Sequence, residues 1–388
     1  MTESAVVYTS ENDSAAAAGD LSRKVKAALP GAPPDALVLF ASPRYEHQVL
    51  LRTVQEICRP DLLVGASSAG EFTTEHRGEG LACALALRST EITFAAGIGR
   101  GLSKDRGAAA RSIVSAFKGA GSDTHLFRSA LVMTDALAGH ADDLVEQLTL
   151  ATAGKYQFFG GGAGDDAQFR RTQVFYGSEA FSDAAVALEI LSAKPLGIGV
   201  GHGWEPASPP MRVTQAEGMS VVSLNGLPAA EAFEQHARRT GQSFDAAAPL
   251  PFFLHNILGI ETGAGFRLRV PLSISQAGAV ACASEIPKGA TVHVMRTTAS
   301  SAVEAATRAT KAAVAGLGGH PAQVALFFDC VATRLRMGDV FGVELESLAT
   351  GLGSAKFVGC NTHGQIARAP GQFGGFHNCT AVVCVLPA

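Results

Sequence analysis

One short pattern of residues occurs three times along this 388-residue chain, and it strongly limits the folds that the chain can adopt. Each copy has two apolar residues, a glycine, several mostly small residues, a second glycine and an acid or its amide. The copies occupy residues 63–71, 158–165 and 357–365, and an apolar run follows each of them. The recurrence predicts repeated strand–turn–strand units, with Gly65, Gly160 and Gly359 at turns where the backbone has positive φ or approaches another group closely.

The order of the apolar and amphipathic stretches predicts the fold class. Several predicted strands, such as 81–87 and 92–97, follow one another with no helix between them, which excludes a doubly wound parallel sheet. We therefore expect a mixed α/β (α+β) fold of two pseudo-repeated domains, with largely antiparallel or mixed sheets packed with helices. The proline-rich segment 204–210 separates the predicted domains, which cover residues 1–203 and 204–388.

The composition argues against several classes of protein. A hydrophobic content of 47% and a charged content of 17% supply a large core and exclude disorder. A net charge of −4 without a basic block disfavours nucleic acid and anionic membranes as partners. There is no apolar stretch of the roughly 18 residues that a membrane span needs, and no secretory signal. Seven cysteines without a CxxC motif disfavour a disulfide framework, so we expect a cytoplasmic protein.

Two glycine-containing motifs suggest catalysis or nucleotide binding. Ser68, between Ala66 and Gly70, approximates a nucleophile elbow, but a polar stretch and a strand follow it where a helix should begin. A turn that needs small residues is the competing interpretation. The alternating glycines of residues 197–203 resemble a phosphate-binding loop, but they do not open a helix, and no acidic residue marks a ribose site.

Four histidines lie where a cofactor could contact them. His202 lies between two glycines beside Trp204, His255 follows an aromatic pair, and His363 and His377 lie in or near the third copy of the pattern. A lone histidine next to apolar residues is more often a buried core or turn residue, and this is the competing interpretation of each of them. A neutral imidazole in an apolar wall is also what axial haem ligation needs.

Two cysteines, Cys330 and Cys360, end predicted apolar strands. Cysteines in such places are commonly small buried hydrophobic residues. Their position near the glycine pattern leaves a redox or ligand role open.

Taken together, these motifs resemble the FIST family over nearly the whole chain. The turn at 64–71 and the turn ending at Asp165 resemble the FIST N region. The FIST C region is matched at 203–206, 213–214, 224–229, 328–330 and 375–380. Two positions depart from the family pattern. Gln365 stands where glutamate is usual, and Asn225 stands where aspartate is common.

The resemblance implies a receptor in signal transduction. Family members are regarded as intracellular sensors of small ligands such as amino acids, and stand-alone bacterial members include nitric-oxide-sensing haem proteins that modulate histidine kinases. We accordingly expect a cytoplasmic, non-enzymatic sensor that binds haem b, detects a gaseous ligand and regulates a partner histidine kinase. The alternatives are a receptor for an amino acid or another small metabolite, and a hydrolase that uses Ser68 or a cysteine.

The haem expectation assigns residues. His202 is the predicted metal ligand, because its flanking glycines let the backbone pass close to a flat macrocycle and Trp204 offers a wall for the porphyrin. The remaining predicted cofactor-binding residues are His255, His363, His377, Gly65, Gly160 and Gly359, and at least two of the glycine turns should border one cleft. No nucleic-acid or membrane partner is expected, and self-association into a homo-oligomer stays open.

Overall fold

The computed structural model describes residues 2–121, 126–263, 265–369 and 375–388. Its strands and helices form three consecutive units with the same topology, and an insertion interrupts the third unit. In each unit the second and third strands are parallel, and the last strand lies antiparallel between the first and the second. Each unit contains one copy of the glycine pattern, in its third strand and the turn that follows.

The first unit covers residues 2–89. Its elements are β1 (Thr2–Thr9), α1 (Ser14–Ala28), β2 (Ala36–Ala41), α2 (His47–Cys58), β3 (Leu62–Ser67), β4 (Glu71–Thr73), β5 (Arg77–Gly78) and β6 (Ala82–Ser89). Helix α1 begins after Asp13, whose side chain accepts a hydrogen bond from the Ala16 N–H at 2.8 Å. Strand β2 is apolar throughout because both faces of its sheet are buried.

The second unit covers residues 92–192. Its elements are β7 (Ile92–Arg100), α3 (Arg106–Ser115), β8 (Phe127–Thr134), a 3₁₀ helix (Ala136–Ala138), α4 (Ala141–Ala151), β9 (Gln157–Gly162), β10 (Val174–Tyr176), β11 (Glu179–Phe181) and β12 (Ala184–Ser192). Strand β12 is the longest buried run of this unit and pairs antiparallel with both β7 and β8. It therefore occupies the same position as β6 in the first unit.

The third unit begins with β13 (Gly197–Gly201) and is then interrupted by residues 205–296. This insertion folds into a nine-stranded sheet with two helices and has its own apolar core. Its elements are β14 (Glu205–Pro206), β15 (Met211–Glu217), β16 (Ser220–Leu224), β17 (Leu227–Pro228), α5 (Ala229–Thr240), α6 (Leu250–Phe253), β18 (Ile257–Thr262), β19 (Gly265–Arg269), β20 (Pro271–Ile274), β21 (Val280–Cys282) and β22 (Thr291–Arg296).

The third unit resumes after the insertion. Its elements are α7 (Ala299–Ala315), β23 (Ala322–Cys330), α8 (Val331–Met337), a 3₁₀ helix (Gly338–Val340), α9 (Phe341–Leu352), β24 (Lys356–Thr362), β25 (Gln365–Arg368), β26 (Gly375–His377) and β27 (Ala381–Pro387). Strand β27 pairs antiparallel with β13 and β23, as the last strands of the other two units do.

The three units exchange strands in a cycle. A short strand after each copy of the pattern pairs antiparallel with the third strand of another unit: β4 with β24, β10 with β3, and β25 with β9. Each third strand therefore has a neighbour on both sides, which removes an open sheet edge from every unit. The inner faces of the three sheets share one apolar cluster, where the rings of Phe40 and Phe328 pack edge to face 5.6 Å apart.

The first glycine of each pattern has the same structural role in all three units. Gly65, Gly160 and Gly359 lie inside β3, β9 and β24, so the prediction that they form the turns is wrong. An added Cβ would come within 1.8, 2.1 and 1.9 Å of the carbonyl oxygens of Leu39, Val132 and Phe327 on the adjacent parallel strands. The pattern recurs because each parallel pair needs this close backbone approach.

The mixed α/β fold with repeated units is confirmed. The repeat occurs three times, once for each copy of the pattern, where the sequence led us to expect two repeated domains. The insertion hides the third repeat in the sequence, because it separates β13 from the rest of its unit. No helix in the described ranges is both long enough and apolar enough to cross a membrane.

Candidate functional site

The turns after the three third strands meet where the three units join. Backbone hydrogen bonds link them: Ala69 N–H to Asn361 O (2.9 Å), Gly164 N–H to Ser67 O (2.8 Å) and His363 N–H to Gly162 O (3.0 Å). The second glycines and their neighbours are therefore surrounded by backbone of the other units. This meeting point is bordered by cavities at the junctions between units, and each cavity has its own chemistry.

The cavity between the first and third units, which we call the polar cleft, has a volume of about 360 Å³. It lies between the start of β4 with the following turn on one side and the α8–α9 segment on the other. Its lining residues are Glu71, Phe72, Arg77, Gly78, Glu79, Arg334, Leu335, Gly338, Asp339, Phe341 and Asn361. The volume falls within the range of about 300–1,000 Å³ that is typical of ligand pockets.

Asn361 is the most unusual residue of the polar cleft. Its side chain is 1% exposed, yet neither its amide nitrogen nor its amide oxygen forms a hydrogen bond with any described residue. The Nε of Arg334 is likewise buried without such a partner. Buried polar groups are rarely left without partners, because an unmade hydrogen bond costs about 1–3 kcal/mol. The cleft therefore offers a donor and an acceptor of Asn361 and a donor of Arg334 to a bound molecule.

Glu71 forms the inner wall of the polar cleft and is neutral at neutral pH. Its carboxyl group accepts hydrogen bonds from the Ser68 hydroxyl and from the Leu81 N–H (2.8 Å). Complete burial is the main cause that raises the pKa of Glu71 to about 8, and the nearby Asp166 contributes to the rise. The group can consequently donate a hydrogen bond as well as accept one.

The third unit repeats the bond between Ser68 and Glu71 with different residues. There, Gln365 donates from Nε2 to the hydroxyl of Thr362 at 2.9 Å. The acid or amide that ends the pattern thus bonds the hydroxyl residue three positions earlier in both units. The glutamine that departs from the family pattern keeps this contact.

Charged side chains of both signs surround the rest of the polar cleft. Arg334 forms an ion pair with Glu79, and Arg77 and Asp339 also line the cavity. The guanidinium of Arg77 lies directly against Gly342 of α9, where any side chain would collide with it. The cleft thus presents two cationic and two anionic groups around a buried, neutral, hydrogen-bonding wall.

The cavity between the second unit, the third unit and the insertion, which we call the apolar pocket, is smaller, at about 100 Å³. Its lining is mainly apolar and includes Phe169, Val270 and Cys330, with His363 at its inner end. The His363 ring stacks on Phe169 with centroids 4.5 Å apart. Burial lowers the pKa of His363 to about 4, so the imidazole is neutral at neutral pH.

The His363 ring has no hydrogen bond within the described part of the chain. Its Nε2 lies 3.4 Å from Oδ1 of Asp165, but without hydrogen-bond geometry. Asp165 accepts hydrogen bonds from the N–H groups of Phe169, Arg170 and Arg171 at 2.9, 2.7 and 3.0 Å. Its carboxylate is therefore held by the loop that carries Phe169.

A third cavity of about 630 Å³ lies between the first and second units, and we call it the His47 cleft. Its inner residues are already bonded: His47 contacts Gln173 Oε1 (2.9 Å) through Nδ1 and Ser42 O (3.0 Å) through Nε2. Asp166 accepts a bond from the Ser42 hydroxyl at 3.3 Å, and burial raises the pKa of Asp166. This cleft is polar, but its buried imidazole is satisfied by protein groups.

The structure does not bring the four predicted histidines together. His202 is half-buried at the end of β13, next to Trp204, where its Nε2 bonds Phe266 O (3.1 Å) and its Nδ1 accepts the Trp204 N–H (3.3 Å). His255 is exposed beyond α6. His377 is 3% exposed on β26, and burial together with Arg269 and Arg267 lowers its pKa to about 3.

The structure also locates the other predicted site residues. Trp204 is 7% exposed, within an apolar cluster, and the guanidinium of Arg336 lies 5.6 Å from its ring centroid. Gly65, Gly160 and Gly359 lie within the sheets and line none of the three cavities, although the turns that follow them do. Of the predicted cofactor-binding residues, only His363 lines one of these cavities.

Sequence reasoning missed Asn361, Arg334 and Glu71 as candidate binding residues. Two of them lie inside copies of the glycine pattern, so their position was visible but their lack of partners was not. Ser68 is fully buried and bonded to a neutral carboxyl, which leaves it without an activating base. Within the described ranges, no group of three or more His, Cys, Asp or Glu side chains is arranged to hold a metal ion.

Comparison with known proteins gives two matches to domain families. The FIST N domain matches residues 35–227, and the FIST C domain matches residues 229–368. No curated protein matches the chain. Among solved structures, a cyanuric acid hydrolase from A. caulinodans is similar over 99% of this chain and 99% of that chain, with 9% sequence identity and a TM-score of 0.36. A likeness at that score carries no argument about function.

Proposed function

The chain belongs to the FIST family, whose domains are associated with sensing in signal transduction, and on that premise we propose that it is a sensor of a free amino acid. The polar cleft between the first and third units is the proposed binding site. The sensor has no catalytic activity of its own in this proposal, and it transmits the binding event to a signalling partner.

The observation that carries the proposal is the unbonded, buried amide of Asn361. A buried amide with both of its polar atoms free is costly unless a ligand completes its hydrogen bonds. The adjacent Nε of Arg334 is free in the same way, so the incoming molecule should carry both an acceptor for these N–H groups and a donor for the amide oxygen.

The charges around the cleft support a zwitterion. Arg77 and Arg334 can bind a carboxylate, while Glu79 and Asp339 can bind an ammonium group. The neutral Glu71 and the amide of Asn361 are left to contact the side chain or the backbone atoms of the amino acid. A zwitterion can contact groups of both signs at once, whereas a ligand with a single charge can be attracted by only one set of them.

The proposal that the protein is not an enzyme draws support from Ser68. Its hydroxyl donates to Glu71, which is protonated at neutral pH and so is no general base. A hydrolase would need a nucleophile that reaches its substrate, and Ser68 is fully buried.

Calorimetric titration of the full chain with each of the twenty free L-amino acids tests the proposal. We expect saturable binding of at least one of them, and no binding of acetate or methylammonium, which each carry only half of a zwitterion. Arg334→Met should remove the binding. Arg336→Met is the matched control, because it lies on the same helix but packs on Trp204. Absence of binding across the panel, or equal loss in both variants, would contradict the proposed site.

Haem-based nitric oxide sensing remains a second prediction, favoured by one observation. His363 is a buried neutral imidazole without a hydrogen bond at the end of an apolar pocket. The described residues do not fit a haem as they stand, because this pocket is about 100 Å³ and both ring nitrogens of His202 are bonded. Protein purified from haem-supplied cells would show a porphyrin absorption band if the prediction holds, and a colourless product would refute it.

Regulation of a histidine kinase likewise remains a prediction. The corner between α8 and α9 exposes Leu335, Val340 and Val343 beside the polar cleft, which supports signalling through this surface. Serine substitutions at Val340 and Val343, which do not line the cleft, should leave amino-acid binding intact and remove the effect of the ligand on kinase autophosphorylation. Unchanged regulation in these variants would exclude this surface.

A further inference from the structure

Two cysteines that are far apart in sequence meet beside the apolar pocket. Cys330 ends β23 and immediately precedes α8, while Cys379 lies in the turn between β26 and β27. Phe328 of β23 is paired with Val382 of β27. Continuing this antiparallel register two residues forward from Phe328 and two residues back from Val382 places Cys330 opposite Thr380, the neighbour of Cys379. The strand register therefore brings the two cysteines close together.

The two cysteines lie in one buried apolar cluster, which also contains Trp204 and Ala332. Cys379 has a left-handed backbone with φ of 49°, a conformation that non-glycine residues seldom adopt. Backbone strain of this kind is concentrated at functional positions.

Cys330 differs from the other cysteines in its acidity. The hydrogen bond from Cys379 lowers the pKa of the Cys330 thiol, although its burial acts in the opposite direction. Burial raises the pKa of Cys58, and that of Cys282 to about 12. The pKa values of Cys83, Cys360 and Cys384 are raised well above the ordinary value by the same cause. The thiolate, which is the reactive form of cysteine, is thus favoured at Cys330.

A small oxidant can reach Cys330. The residue is 3% exposed, but it lines the apolar pocket together with Phe169 and His363. The pocket volume of about 100 Å³ accommodates a molecule such as hydrogen peroxide, whereas a bulky reagent would be excluded. The other cysteine, Cys379, does not line this pocket but borders a separate small cavity together with Trp204 and Asp329.

We propose that Cys330 and Cys379 form a redox-sensitive pair that is oxidised to a disulfide by hydrogen peroxide. The Cys330 thiolate attacks the peroxide, an S–O bond forms, the O–O bond breaks, and hydroxide leaves with the electron pair. The sulfur of Cys379 then attacks the resulting sulfenic acid. The S–S bond forms, the S–O bond breaks, and water leaves with the proton of Cys379. A thiol reductant then returns the protein disulfide to two thiols by exchange and is itself oxidised to a disulfide.

Thiol counting tests the proposal on the full-length chain. After treatment with peroxide and alkylation under denaturing conditions, intact mass should show two of the seven cysteines protected. A reductant should restore all of them. Non-reducing digestion should give one crosslinked species that joins the peptides of Cys330 and Cys379, which requires no variant and so does not depend on the folding of a mutant.

Three variants sharpen the test. Cys379→Ser should stop the reaction at a sulfenic acid that a dimedone probe captures, and Cys330→Ser should abolish protection. Cys360→Ser is the matched control, because it removes another buried thiol, within the third copy of the glycine pattern, and should leave the crosslink unchanged. If all seven thiols of the wild type could still be alkylated after peroxide treatment, or if the crosslink involved other cysteines, the proposal would be overturned.

Discussion

The polar cleft and the apolar pocket occupy comparable junctions between units, but their chemistry is opposite. Asn361 and His363 are two residues apart in the same copy of the pattern, and each lines one of these two cavities. The first cavity is about 360 Å³ and has charged groups around it, and the second is about 100 Å³ and mainly apolar. The repeated backbone therefore fixes where cavities form, and single side chains determine what they can bind.

The same comparison extends to protonation. Glu71 in the polar cleft and His363 in the apolar pocket are both neutral at neutral pH, because burial disfavours the charged form of each. Burial raises the pKa of the acid and lowers that of the base. The Glu71 junction should therefore lose stability as the pH rises, and the His363 junction should lose stability as the pH falls.

The largest expected effect concerns Glu71 and develops as the pH rises from about 4.5 to about 8. Its folded pKa of about 8 lies above its unfolded value of 4.5, so stability should fall by roughly 1.4 kcal/mol per pH unit across that window. The Glu71→Gln side chain cannot ionise. The free energy of unfolding of this variant should therefore rise relative to that of the wild type between pH 4.5 and 8, and the difference should stay constant above pH 8. Denaturant titrations at several pH values measure this. Parallel profiles for the two proteins would mean that Glu71 ionises normally.

A smaller effect is expected on the acid side and concerns His363. Its folded pKa of about 4 lies below the unfolded value of 6.5, so the stability of the neutral ring is present above pH 6.5 and lost as the pH falls toward 4. His363→Leu should remove this loss of stability on acidification and leave unchanged the loss of stability that Glu71 causes as the pH rises. The same denaturant titrations measure this. If the variant lost as much stability on acidification as the wild type does, His363 would be excluded as the cause of that loss.

The third prediction compares ligand affinity at the two junctions. Asn361→Leu should weaken amino-acid binding on the order of 100-fold, since it removes two hydrogen bonds and leaves ligand groups unpaired. His363→Leu, which changes a residue of the same segment, should keep the Kd within about threefold. Titration calorimetry with the amino acid that binds the wild type gives both values. If His363→Leu weakened binding and Asn361→Leu did not, the binding site would be the apolar pocket instead.

The smallest expected effect concerns the hydroxyls of Ser68 and Thr362, which hydrogen-bond the last residue of the glycine pattern in the first and third units. Ser68→Ala removes one side-chain hydrogen bond and should lower the free energy of unfolding by about 1 kcal/mol, whereas Thr362→Val removes two and should lower it by about 2 kcal/mol. Amino-acid affinity should stay nearly unchanged in both variants. If the wild type has a hydrolytic activity that Ser68→Ala abolishes, the sensor proposal is wrong.

Local sequence patterns predicted much of the fold. Apolar runs such as residues 82–87 and 184–190 are buried strands, and the mixed order of strands and helices is confirmed. The glycines were misread as turns, because a strand glycine that faces a neighbouring carbonyl oxygen has the same sequence signature as a turn glycine. The third repeat was missed because residues 205–296 interrupt it.

The candidate site was less predictable, because its features depend on contacts between distant residues. Asn361 is notable for the partners it lacks, and no local pattern reports a missing partner. His202 had a favourable local context, but its ring is bonded to Phe266, which is 64 residues away in the sequence. Arg334 approaches Glu79 only after the first and third units have assembled.

The cyclic exchange of strands makes the complete chain the smallest piece that can be expected to fold. A cut between the regions matched by the FIST N and FIST C domains would separate β4 from β24 and β9 from β25. Either fragment would expose unpaired strand edges, which are templates for aggregation. Half-chains cloned along the family border should therefore be insoluble alone and recover solubility when the two halves are co-expressed.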